Sequence, residues 1–466
     1  MNEDATLQVE LLVIGFGKGG KTLAAMMASR GQRVVLAEES PLMYGGTCIN
    51  TGCVPTKSMV FQGERSASGV AGAAVYAQAV ATTERLTAGL RSANIAAFDP
   101  IATATVLIGT ARFVDEHRVA VSTEHGVVTV DARTVVIGTG SVPVIPNVPG
   151  LRQCPVAVTS AQLLRLASRP DRLLVLGGGY IGLEFASIYA SYGTSVTVLE
   201  HRPTVLASED DDIATEVREL LQERGVTVLT GANVTGVQTI QRTGLPPLAR
   251  VEYIAEGAMH AIDADTVLIA AGRAPNTTDL GLQRAGVEVD SSGAIVVDEY
   301  LRTTRPHIYA VGDVNGGPQF TYISLDDYRI VLDQLQGASA PRRATDRVAV
   351  PSCLFLTPPL ARVGLTERQA RAGGRDVLTA VSPVVKLATV ARARIVGRTD
   401  GMMKVVVDAR TDEILGAALL CHDAQEIINI VALAMRHGIT ATALRDEIYT
   451  HPSMAECFNQ LLGMLR

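Results

Sequence analysis

One pattern occurs twice in this chain: an apolar strand, a glycine-rich turn, a helix, and a second strand that ends in an acidic residue. The residues concerned are Gly15, Gly17, Gly20 and Glu38 in the first copy, and Gly177, Gly179, Gly182 and Glu200 in the second. In both copies the acid stands 18 residues after the third glycine, from position 20 to 38 and from 182 to 200. A lone glycine turn has little diagnostic value, but two complete copies at one spacing predict two α/β units of the same design.

Each part of the repeated pattern suits the binding of a dinucleotide. The first glycine permits a tight turn, the second lets the backbone approach a pyrophosphate, and the third allows the helix to pack closely on the strand. The helix N-terminus offers unpaired N–H groups to phosphates, and the acid accepts a hydrogen bond from a ribose hydroxyl. The two copies therefore predict two Rossmann-like domains and two dinucleotides. The alternative for either copy is a purely structural strand–turn–helix element.

The first turn also matches the P-loop pattern, with Gly15, Gly20, Lys21 and Thr22 at the required positions. In a P-loop, the lysine contacts the β- and γ-phosphates and the threonine hydroxyl binds magnesium. Two observations argue against this interpretation: Glu38 supplies a ribose acceptor that a P-loop does not need, and the second copy lacks the Lys-Thr pair. Lys21 and Thr22 are therefore expected to be ordinary residues at the start of a helix.

The composition is that of a globular protein with several domains. The chain has 466 residues, of which 47% are hydrophobic, so a length of about three domains comes with ample core. Aromatic residues make up only 4%, Trp is absent and the formal net charge is −6. Few rings for base stacking and a negative charge argue against nucleic acid as a partner.

Membrane insertion and secretion are also not expected from the sequence. The longest apolar stretch, 173–192, contains several glycines and the carboxylate of Glu184, which favours a strand, a turn and a helix over a membrane span. The acidic N-terminus shows no signal peptide, and 6 Cys are too few for a disulfide scaffold. The sequence therefore predicts a reducing, cytoplasmic location.

Two cysteines lie close together, shortly after the first dinucleotide pattern. Cys48 and Cys53 belong to the segment 45–57, in which a proline suits the first turn of a helix and Lys57 adds positive charge. A helix N-terminus and a nearby cation lower the pKa of a thiol, which favours the thiolate of reversible disulfide chemistry. A zinc site lacks ligands, because no Cys or His follows until His117. The spacing alone leaves two idle buried thiols as an equal alternative, but the position after a dinucleotide fold favours a redox pair.

Residues 45–57 read G-G-T-C-I-N-T-G-C-V-P-T-K. This segment resembles the active-site signature of the flavin-dependent pyridine nucleotide–disulfide oxidoreductases. Further matches follow in the family's order at 136–141, 272–276, 303–313 and 451–456, so the resemblance covers nearly the whole chain. It implies bound FAD, NADH or NADPH as electron donor, no resident metal, and a homodimer with active sites shared between the subunits.

The same resemblance implies roles for the residues of the redox centre. Electrons would pass from NAD(P)H through the flavin to a disulfide between Cys48 and Cys53, with Cys53 facing the flavin and Cys48 meeting the substrate. Lys57 would lie near the flavin N5 with Glu184 as its ion partner. Tyr180 would gate the nicotinamide pocket.

A histidine near the C-terminus completes the predicted site. His451 precedes a proline, and Glu456 follows five residues later. The resemblance implies that His451 acts as an acid/base, is oriented by Glu456, and reaches the active site of the other subunit. Histidine has an ordinary pKa that suits this work. The alternative is a solvated surface histidine.

The residues expected to bind cofactors come from all these motifs. They are Gly15, Gly17, Gly20, Glu38, Gly46, Thr47, Lys57, Thr139, Gly140, Gly177, Gly179, Tyr180, Gly182, Glu200, Gly272, Arg273, Gly312 and Asp313. Arg202 could read a 2′-phosphate, whereas Glu200 would repel one, and this balance slightly favours NADH over NADPH. The other cysteines, at 154, 353, 421 and 457, are expected to pack as small hydrophobic residues.

Three branches of the family compete as the nearest match. Mercuric reductases typically have a C-terminal vicinal Cys pair, which the end of this chain lacks. Dihydrolipoamide dehydrogenases share the His-Pro-x-x-x-Glu element, but they usually carry an acid where this chain has Leu360. Flavoproteins of the reactive-chlorine-resistance (RclA-type) subfamily resemble this chain in the first turn, 15–24, and in the segment 319–331. That resemblance implies reduction of a small oxidant in oxidative-stress defence, hypothiocyanous acid before copper(II).

The predicted organisation has four segments. Residues 1–152 and 277–346 form a split FAD-binding domain, 153–276 an inserted NAD(P)-binding domain, and 347–466 an α+β dimerisation domain. A non-enzymatic alternative is a flavin-binding redox sensor. The complete cysteine pair together with His451 favours an enzyme, because a sensor needs no acid/base.

Overall fold

The computed structural model describes residues 6–66 and 72–466. Its strands are β1 (Thr6–Ile14), β2 (Val34–Glu38), β3 (Ala104–Ile108), β4 (Thr110–Phe113), β5 (Arg118–Thr123), β6 (Gly126–Ile137), β7 (Ser141–Pro143), β8 (Ala157–Thr159), β9 (Arg172–Leu176), β10 (Ser195–Glu200), β11 (Thr227–Thr230), β12 (Asn233–Arg242), β13 (Leu245–Ala255), β14 (Ala258–Ala264), β15 (Thr266–Ile269), β16 (Arg273–Pro275), β17 (Ile308–Ala310), β18 (Ser352–Leu354), β19 (Leu360–Gly364), β20 (Val377–Pro383), β21 (Met402–Asp408) and β22 (Ile414–Leu420). Its helices are α1 (Lys18–Ser29), α2 (Thr47–Asn50), α3 (Cys53–Ser66), α4 (Ala73–Ala96), α5 (Ser160–Leu163), α6 (Tyr180–Ser191), α7 (Asp211–Glu223), α8 (Leu282–Ala285), α9 (Thr321–Leu335), α10 (Glu367–Ala372), α11 (Ala391–Ile395), α12 (Ala424–Arg436), α13 (Ala441–Asp446) and α14 (Cys457–Leu461).

The chain divides into two compact units, each assembled from separate stretches of sequence. The first unit comprises residues up to 58, 80–144 and 272–346, and the second comprises 59–79, 145–271 and 347–466. The division of the chain into FAD, NAD(P) and dimerisation domains at 152/153, 276/277 and 346/347 stays a prediction.

A seven-stranded sheet forms the centre of the first unit. Its order is β3-β2-β1-β6-β5-β4, and β17 also pairs with β6. β1 lies parallel to both β2 and β6, and β2 is buried along its whole length. Burial of both faces explains why these parallel strands read as unbroken apolar runs. The first glycine turn follows β1 and therefore lies at the carboxyl edge of the sheet, where such sheets bind ligands.

A second parallel sheet repeats this arrangement in the second unit. Its order is β11-β10-β9-β15-β8, and β9 pairs in parallel with β10 and with β15. The second glycine turn connects β9 to α6, so the apolar stretch 173–192 forms a strand, a turn and a helix as predicted. Within residues 6–66 and 72–466, no helix has the length and apolar character that a membrane span requires.

The C-terminal part of the second unit is built on an antiparallel sheet. The strand order is β18-β19-β22-β21-β20, and β21 is buried throughout. Helix α12 packs on β19 and β22 through a face that includes Ala424, Ile427, Ile428 and Val431, which have the spacing of one helical stripe. A mixed seven-stranded sheet and a parallel five-stranded sheet, each followed by a helix at its glycine turn, together with this α+β part, confirm the predicted fold class.

Candidate active site

The first glycine turn has no room for side chains. Gly15 has a φ of +104°, and a Cβ atom there would lie 2.3 Å from the carbonyl oxygen of Gly138. Gly46, from the cysteine segment, has a φ of +75°, and its Cβ would lie 2.8 Å from the Cα atom of Gly17. Both the backbone conformation and the space therefore require glycine. The backbones of the turn and of the cysteine segment are therefore in close contact. Without side chains between them, backbone N–H groups can approach a bound phosphate closely.

The surroundings of this turn fit the pyrophosphate and ribose of FAD. Gly17 is the N-cap residue of α1, so the first N–H groups of that helix open toward the turn. Glu38, at the end of β2, accepts hydrogen bonds from the N–H groups of Phe16 (2.8 Å) and Ser40 (3.2 Å). Burial raises the pKa of its carboxyl group. Glu38 thus braces the turn, and each oxygen keeps a lone pair that can accept from a hydroxyl group.

The second glycine turn repeats these contacts. Gly177 has a φ of +115°, and a Cβ there would lie 2.5 Å from the carbonyl oxygen of Ala270. The buried Glu200 accepts hydrogen bonds from the N–H groups of Gly178 (2.6 Å) and Arg202 (2.8 Å). The two predicted ribose acceptors therefore occupy equivalent positions, which is the arrangement that two dinucleotides need.

Replacement of Gly15 by alanine should abolish flavin binding. Both Gly15 and Gly31 have a positive φ, but a Cβ at Gly31 would meet no atom within 4 Å. Both alanine variants carry the strain of a left-handed backbone, about 1–2 kcal/mol, and only Gly15→Ala adds a clash with the backbone. We expect wild-type protein and Gly31→Ala to retain FAD after desalting, measured as flavin absorbance per chain, and Gly15→Ala to lose it. A flavin-free wild-type chain would contradict the cofactor assignment itself.

A buried network fixes the segment that contains Asp313. Asp313 Oδ2 accepts a hydrogen bond from Ser141 Oγ (2.6 Å), and Arg273 Nε donates to the same Ser141 oxygen (2.8 Å). Asp327, fully buried on α9, accepts from the N–H of Gly312 (2.6 Å). Asp313 is therefore held by neighbours on both sides of its turn. Sequence analysis named Asp313, Gly312 and Arg273 but missed the supporting roles of Ser141 and Asp327.

Thr139 and Gly140 lie at the junction between β6 and β7. The Thr139 hydroxyl donates to the carbonyl oxygen of Asn276 (2.7 Å), and Gly140 has a positive φ of +72°. Gly272, also with a positive φ (+118°), precedes β16, and β16 pairs with β7. The segments at 139–143 and 272–276 are thus joined by strand pairing, although the predicted domain boundary at 276/277 assigned residues 272–276 to the NAD(P)-binding domain.

The structure brings Cys48 and Cys53 together as a hydrogen-bonded dithiol. Cys48 lies in α2 and Cys53 begins α3. The hydrogen bond with Cys53, supported by Thr321, Lys57 and Lys21, lowers the pKa of the Cys48 thiol to about 6, although partial burial opposes this. The same hydrogen bond raises the pKa of Cys53. The groups of the chain itself therefore favour a thiolate on Cys48 and a proton on Cys53.

Lys57 and Glu184 are the two residues of the predicted ion pair, and each makes a hydrogen bond with a residue near it. Lys57 Nζ donates to the hydroxyl oxygen of Thr56 (3.2 Å), and its charge lowers the pKa of both redox thiols. Glu184 is buried in α6 and accepts from the N–H of Phe355 (3.4 Å). The ion pair between Lys57 and Glu184 stays a prediction.

Tyr180, the predicted gate of the nicotinamide pocket, is tethered at its hydroxyl group. The hydroxyl donates to Oε1 of Glu209 (2.6 Å), and Arg362 Nη1 donates to the same oxygen (3.0 Å). Burial, followed by the charge of Glu209, raises the pKa of Tyr180. Because Glu209 is itself buried, this three-residue chain positions the ring firmly. No sequence motif indicated that Glu209 and Arg362 would contact Tyr180 or each other.

His451 and Glu456 form the pair that the sequence predicts. His451 Nδ1 lies 2.8 Å from Glu456 Oε1, and Glu456 Oε2 accepts from the N–H of Ser453 (2.8 Å). Burial raises the pKa of Glu456, but the hydrogen bonds from Ser453 and His451 outweigh it and the net pKa is lowered. A carboxylate only accepts hydrogen bonds, so Nδ1 of His451 carries a proton and Nε2 faces outward to exchange one.

Lys21 lies in the first turn of α1 as predicted, and it also makes contacts that the sequence did not indicate. Its ammonium group donates to Asn94 Oδ1 and interacts electrostatically with Cys48. Thr22, its neighbour, donates to the carbonyl oxygen of Lys18 (2.5 Å), so its hydroxyl is committed within the helix rather than to a magnesium ion. Asn94 lies on α4, far from the motifs in sequence, and nothing in its local pattern indicated this contact.

Two family models match the chain. The pyridine nucleotide-disulphide oxidoreductase model matches residues 9–327, and the dimerisation-domain model of these oxidoreductases matches residues 350–462. The protein belongs to the pyridine nucleotide-disulphide oxidoreductases, so it is a flavoprotein oxidoreductase of a family that uses FAD and NAD(P)H. The dimerisation domain supports a homodimer.

Within that family, the chain is similar to the probable pyridine nucleotide-disulfide oxidoreductase RclA of Escherichia coli. The two are 42% identical, over 98% of this chain and 99% of RclA. A solved structure described as the Cu(II) complex of HOCl-induced flavoprotein disulfide reductase RclA matches with a TM-score of 0.90 at 41% identity, covering 98% of this chain and 99% of that one. The mercuric reductase of Staphylococcus aureus is 33% identical (96% and 80% covered), and the dihydrolipoyl dehydrogenase of Geobacillus stearothermophilus is 32% identical (97% and 95%). The predicted RclA-type resemblance is thereby confirmed.

Proposed function

We propose that this protein uses NAD(P)H to reduce a small oxidant at the Cys48–Cys53 pair in oxidative-stress defence, with hypothiocyanous acid as the favoured substrate. The observation that carries the proposal is the pairing of Cys48, in α2, with Cys53, at the start of α3: the hydrogen bond with Cys53, together with the charges of Lys57 and Lys21, lowers the pKa of the Cys48 thiol. A thiolate at neutral pH is the form that attacks an electrophilic sulfur. Similarity to RclA, whose solved structure is described as that of an HOCl-induced flavoprotein disulfide reductase, supports the role in defence.

The dithiol reduces hypothiocyanous acid in two steps. The Cys48 thiolate attacks the sulfur atom, forms an S–S bond to the thiocyanate group and expels the hydroxyl oxygen, which takes a proton from His451 and leaves as water. Cys53 then attacks the Cys48 sulfur and releases thiocyanate, which closes the Cys48–Cys53 disulfide. The proton that Cys53 gives up replaces the one that His451 donated. Two electrons thus pass from the cysteine pair to one oxidant molecule.

His451 delivers the proton to the departing oxygen. Its Nδ1 hydrogen bond to Glu456 fixes the ring and leaves Nε2 to carry the exchanged proton. About two-thirds of the His451 side chain is exposed within its own subunit (68%), which suits a residue that acts in the active site of the other subunit of a homodimer. His451 and Glu456 also distinguish an enzyme from a redox sensor, because a sensor needs no proton donor.

FAD, when bound, passes electrons from NAD(P)H to the cysteine pair. Residues of both glycine turns, of the cysteine segment and of the Asp313 segment would hold the two dinucleotides. Lys57 would lie at the flavin and Tyr180 at the nicotinamide. Glu200 favours NADH, because its carboxylate is fixed by two N–H groups and would repel a 2′-phosphate. A reducing cytoplasm is the compartment that we propose, since it keeps such a dithiol supplied with NAD(P)H.

Two alternatives are weaker. A dihydrolipoamide dehydrogenase would carry an acid at position 360, but Leu360 is buried in β19, where an unpaired carboxylate would be costly. A mercuric-reductase-like activity lacks the C-terminal cysteine pair, and Cys457 is buried with its pKa raised by burial. Copper(II) could take electrons one at a time from the same dithiol, and we propose it as a secondary substrate.

Direct comparison of oxidants should rank hypothiocyanous acid first. We expect kcat/KM with NADH to be at least about tenfold higher for hypothiocyanous acid than for lipoamide, oxidised glutathione or copper(II), because a small electrophile needs only an accessible thiolate. The measurement is steady-state NADH oxidation with each of the four oxidants, repeated with NADPH. Higher kcat/KM for lipoamide than for hypothiocyanous acid would instead assign the protein to the dihydrolipoamide dehydrogenases.

A further inference from the structure

Lys21 and Asn94 lie beside the cysteine segment and have no part in the roles above: a Cβ atom on Gly45 would lie 3.3 Å from Asn94 Nδ2. Lys21 lies in the first turn of α1, and its ammonium group donates to Asn94 Oδ1. Asn94 is itself fixed, because its Nδ2 donates to the carbonyl oxygen of Leu90 (2.7 Å). The lysine side chain is therefore held at the centre by an oriented amide, and its charge acts on Cys48.

This lysine is a partly buried cation without an acidic partner. Across residues 6–66 and 72–466, no carboxylate forms an ion pair with Lys21. Burial and the neighbouring charge of Lys18 lower its pKa to about 8, and Cys48 acts in the opposite direction. Buried charges are normally paired. The Cys48 thiolate is thus the anion that balances Lys21, and once Cys48 is oxidised the positive charge becomes available to another anion.

Helix α4 holds both sides of this centre in place. Arg91 Nη1 donates to Asn50 Oδ1 (3.1 Å), and the buried Asn50 donates through Nδ2 to the carbonyl oxygens of Tyr44 (3.0 Å) and Gly46 (2.9 Å). Arg91 and Asn94 lie one turn apart on α4, on neighbouring positions of its surface. One helix face therefore supports the cysteine loop through Arg91 and Lys21 through Asn94.

We propose that Lys21 forms an anion-binding subsite beside Cys48, which makes the centre selective for small oxidants that are anionic or that release an anion. The inference rests on the function proposed above and names the substrate class: oxidised pseudohalides, whose reduction leaves a pseudohalide ion. When Cys48 bears the S-thiocyanate group, its negative charge is gone, and in this proposal the ammonium group of Lys21 attracts the thiocyanate that Cys53 must displace. A bulky neutral disulfide gains nothing from this charge.

The subsite should be tested by the charge preference of Cys48 alkylation. Holoenzyme is reduced with one equivalent of NADH, and the rates of Cys48 carboxymethylation by iodoacetate and of carbamidomethylation by iodoacetamide are measured by mass spectrometry. Because both reagents need the same thiolate, their rate ratio reports the local charge rather than the thiol pKa. Lys21→Met should lower the iodoacetate-to-iodoacetamide ratio by about tenfold, the effect of one nearby charge in a partly desolvated site.

Three matched variants control for other causes. Lys386→Met removes an exposed lysine in the second unit and should change the ratio by less than about twofold, since screening by salt suppresses distant surface charges. Lys21→Arg should preserve the ratio. Asn94→Leu, which keeps the charge but releases the side chain, should lower it part of the way. Each protein is also oxidised once, reduced again and alkylated in the presence of thiocyanate. Thiocyanate should slow the alkylation of Cys48 more in the wild type than in Lys21→Met, because it binds at Lys21.

The charge preference should also depend on pH in a defined direction. Lys21 loses its proton as the pH rises through about 8, so the wild-type ratio should fall across that range. The charged and titratable groups around the two partners are Lys18 on α1, Cys53 and Lys57 on α3, and Cys48 itself. Between the pKa of Cys48, about 6, and the pKa of Lys21, about 8, the thiolate and the ammonium coexist.

Two results would overturn the subsite. One is an unchanged iodoacetate-to-iodoacetamide ratio in Lys21→Met. The other is loss of FAD from both Lys21→Met and Lys21→Gln, which would assign the lysine to the cofactor. The substrate proposal fails separately: wild-type enzyme that shows the charge preference but no turnover of hypothiocyanous acid would retain the anion subsite and reject that oxidant.

Discussion

Cys48→Ser should lower turnover of every oxidant by at least about a thousandfold, because the serine hydroxyl cannot replace a thiolate as nucleophile or form a disulfide. Flavin content should stay at the wild-type level, since serine is nearly the same size as cysteine and leaves the glycine turns unchanged. The measurement is kcat/KM with hypothiocyanous acid, beside the rate at which NADH bleaches the flavin in a single turnover. That second rate should be retained.

The partner cysteine separates the two thiol roles. In the Cys53→Ser protein, two-electron reduction should no longer produce the long-wavelength thiolate-to-flavin charge-transfer band, whereas Cys48→Ser should keep it. Cys353→Ser, which changes a half-buried cysteine of β18, serves as the matched control and should behave as wild type. If the band is lost in Cys48→Ser and kept in Cys53→Ser, the roles of the two residues are reversed. Turnover of hypothiocyanous acid that survives Cys48→Ser would reject the mechanism.

The chain and the flavin have opposite effects on which of the two thiols carries the negative charge. The groups of the chain favour the thiolate on Cys48, through the hydrogen bond with Cys53 and the charges of Lys57 and Lys21. The charge-transfer prediction, in contrast, needs a thiolate on Cys53. Both hold if one proton is shared within the pair and the flavin draws the negative charge toward Cys53. In that case the position of the proton decides which thiol reacts. Attack on the oxidant needs the proton on Cys53, and the charge-transfer band needs it on Cys48.

His451→Ala should lower kcat/KM for hypothiocyanous acid by about a hundredfold, the ordinary contribution of a positioned acid/base. The hydrogen bond to Glu456 orients the ring, so Glu456→Gln should give a smaller loss in the same direction. His125→Ala is the matched control, because His125 is an exposed histidine that also lies beside a glutamate, Glu124, and it should have no effect. The pH profile of kcat/KM should lose its histidine limb only in His451→Ala.

A mixing experiment tests whether His451 acts in the other subunit. Inactive Cys48→Ser and His451→Ala chains are exchanged in equal amounts. If the site is shared, each mixed dimer has one intact site and the mixture should recover about a quarter of wild-type activity. The exchange itself is followed with a mass-tagged chain. Proven exchange without recovery would place the complete site within one subunit and would leave the role of His451 to be explained differently.

The fold could be predicted from sequence because its strongest signals are local. Glycine turns, the strands beside them and the terminal acids at 38 and 200 follow one another along the chain, and the turn geometry at Gly15 and Gly177 is a direct consequence of those residues. The pair His451 and Glu456 is also local, since both lie in one short C-terminal turn. Such features depend on few degrees of freedom and leave a readable pattern.

The supporting residues could not be predicted because their partners lie far away in the chain. Asp327 binds the Gly312 turn from a helix, Glu209 holds the Tyr180 ring together with Arg362, and Asn94 fixes Lys21 across more than seventy positions. None of these residues belongs to a periodic pattern, and a buried carboxylate or amide looks the same in sequence as an exposed one. The role that we propose for Lys21 has no sequence signal for the same reason, because it depends on the Asn94 side chain that α4 places beside it.

The close approach of Gly46 to Gly17 means that the glycine turn and the cysteine loop have to evolve together. A side chain at position 46 would push the glycine turn away, because its Cβ atom would lie 2.8 Å from the Cα atom of Gly17, so the cysteine loop cannot change at this position without loss of both functions. Helix α4 contacts the centre through side chains, among them those of Arg91 and Asn94, so its contacts can change without a change in the backbone. Substrate preference can therefore diverge on that helix while electron delivery stays intact, and a redesign aimed at new oxidants should begin there.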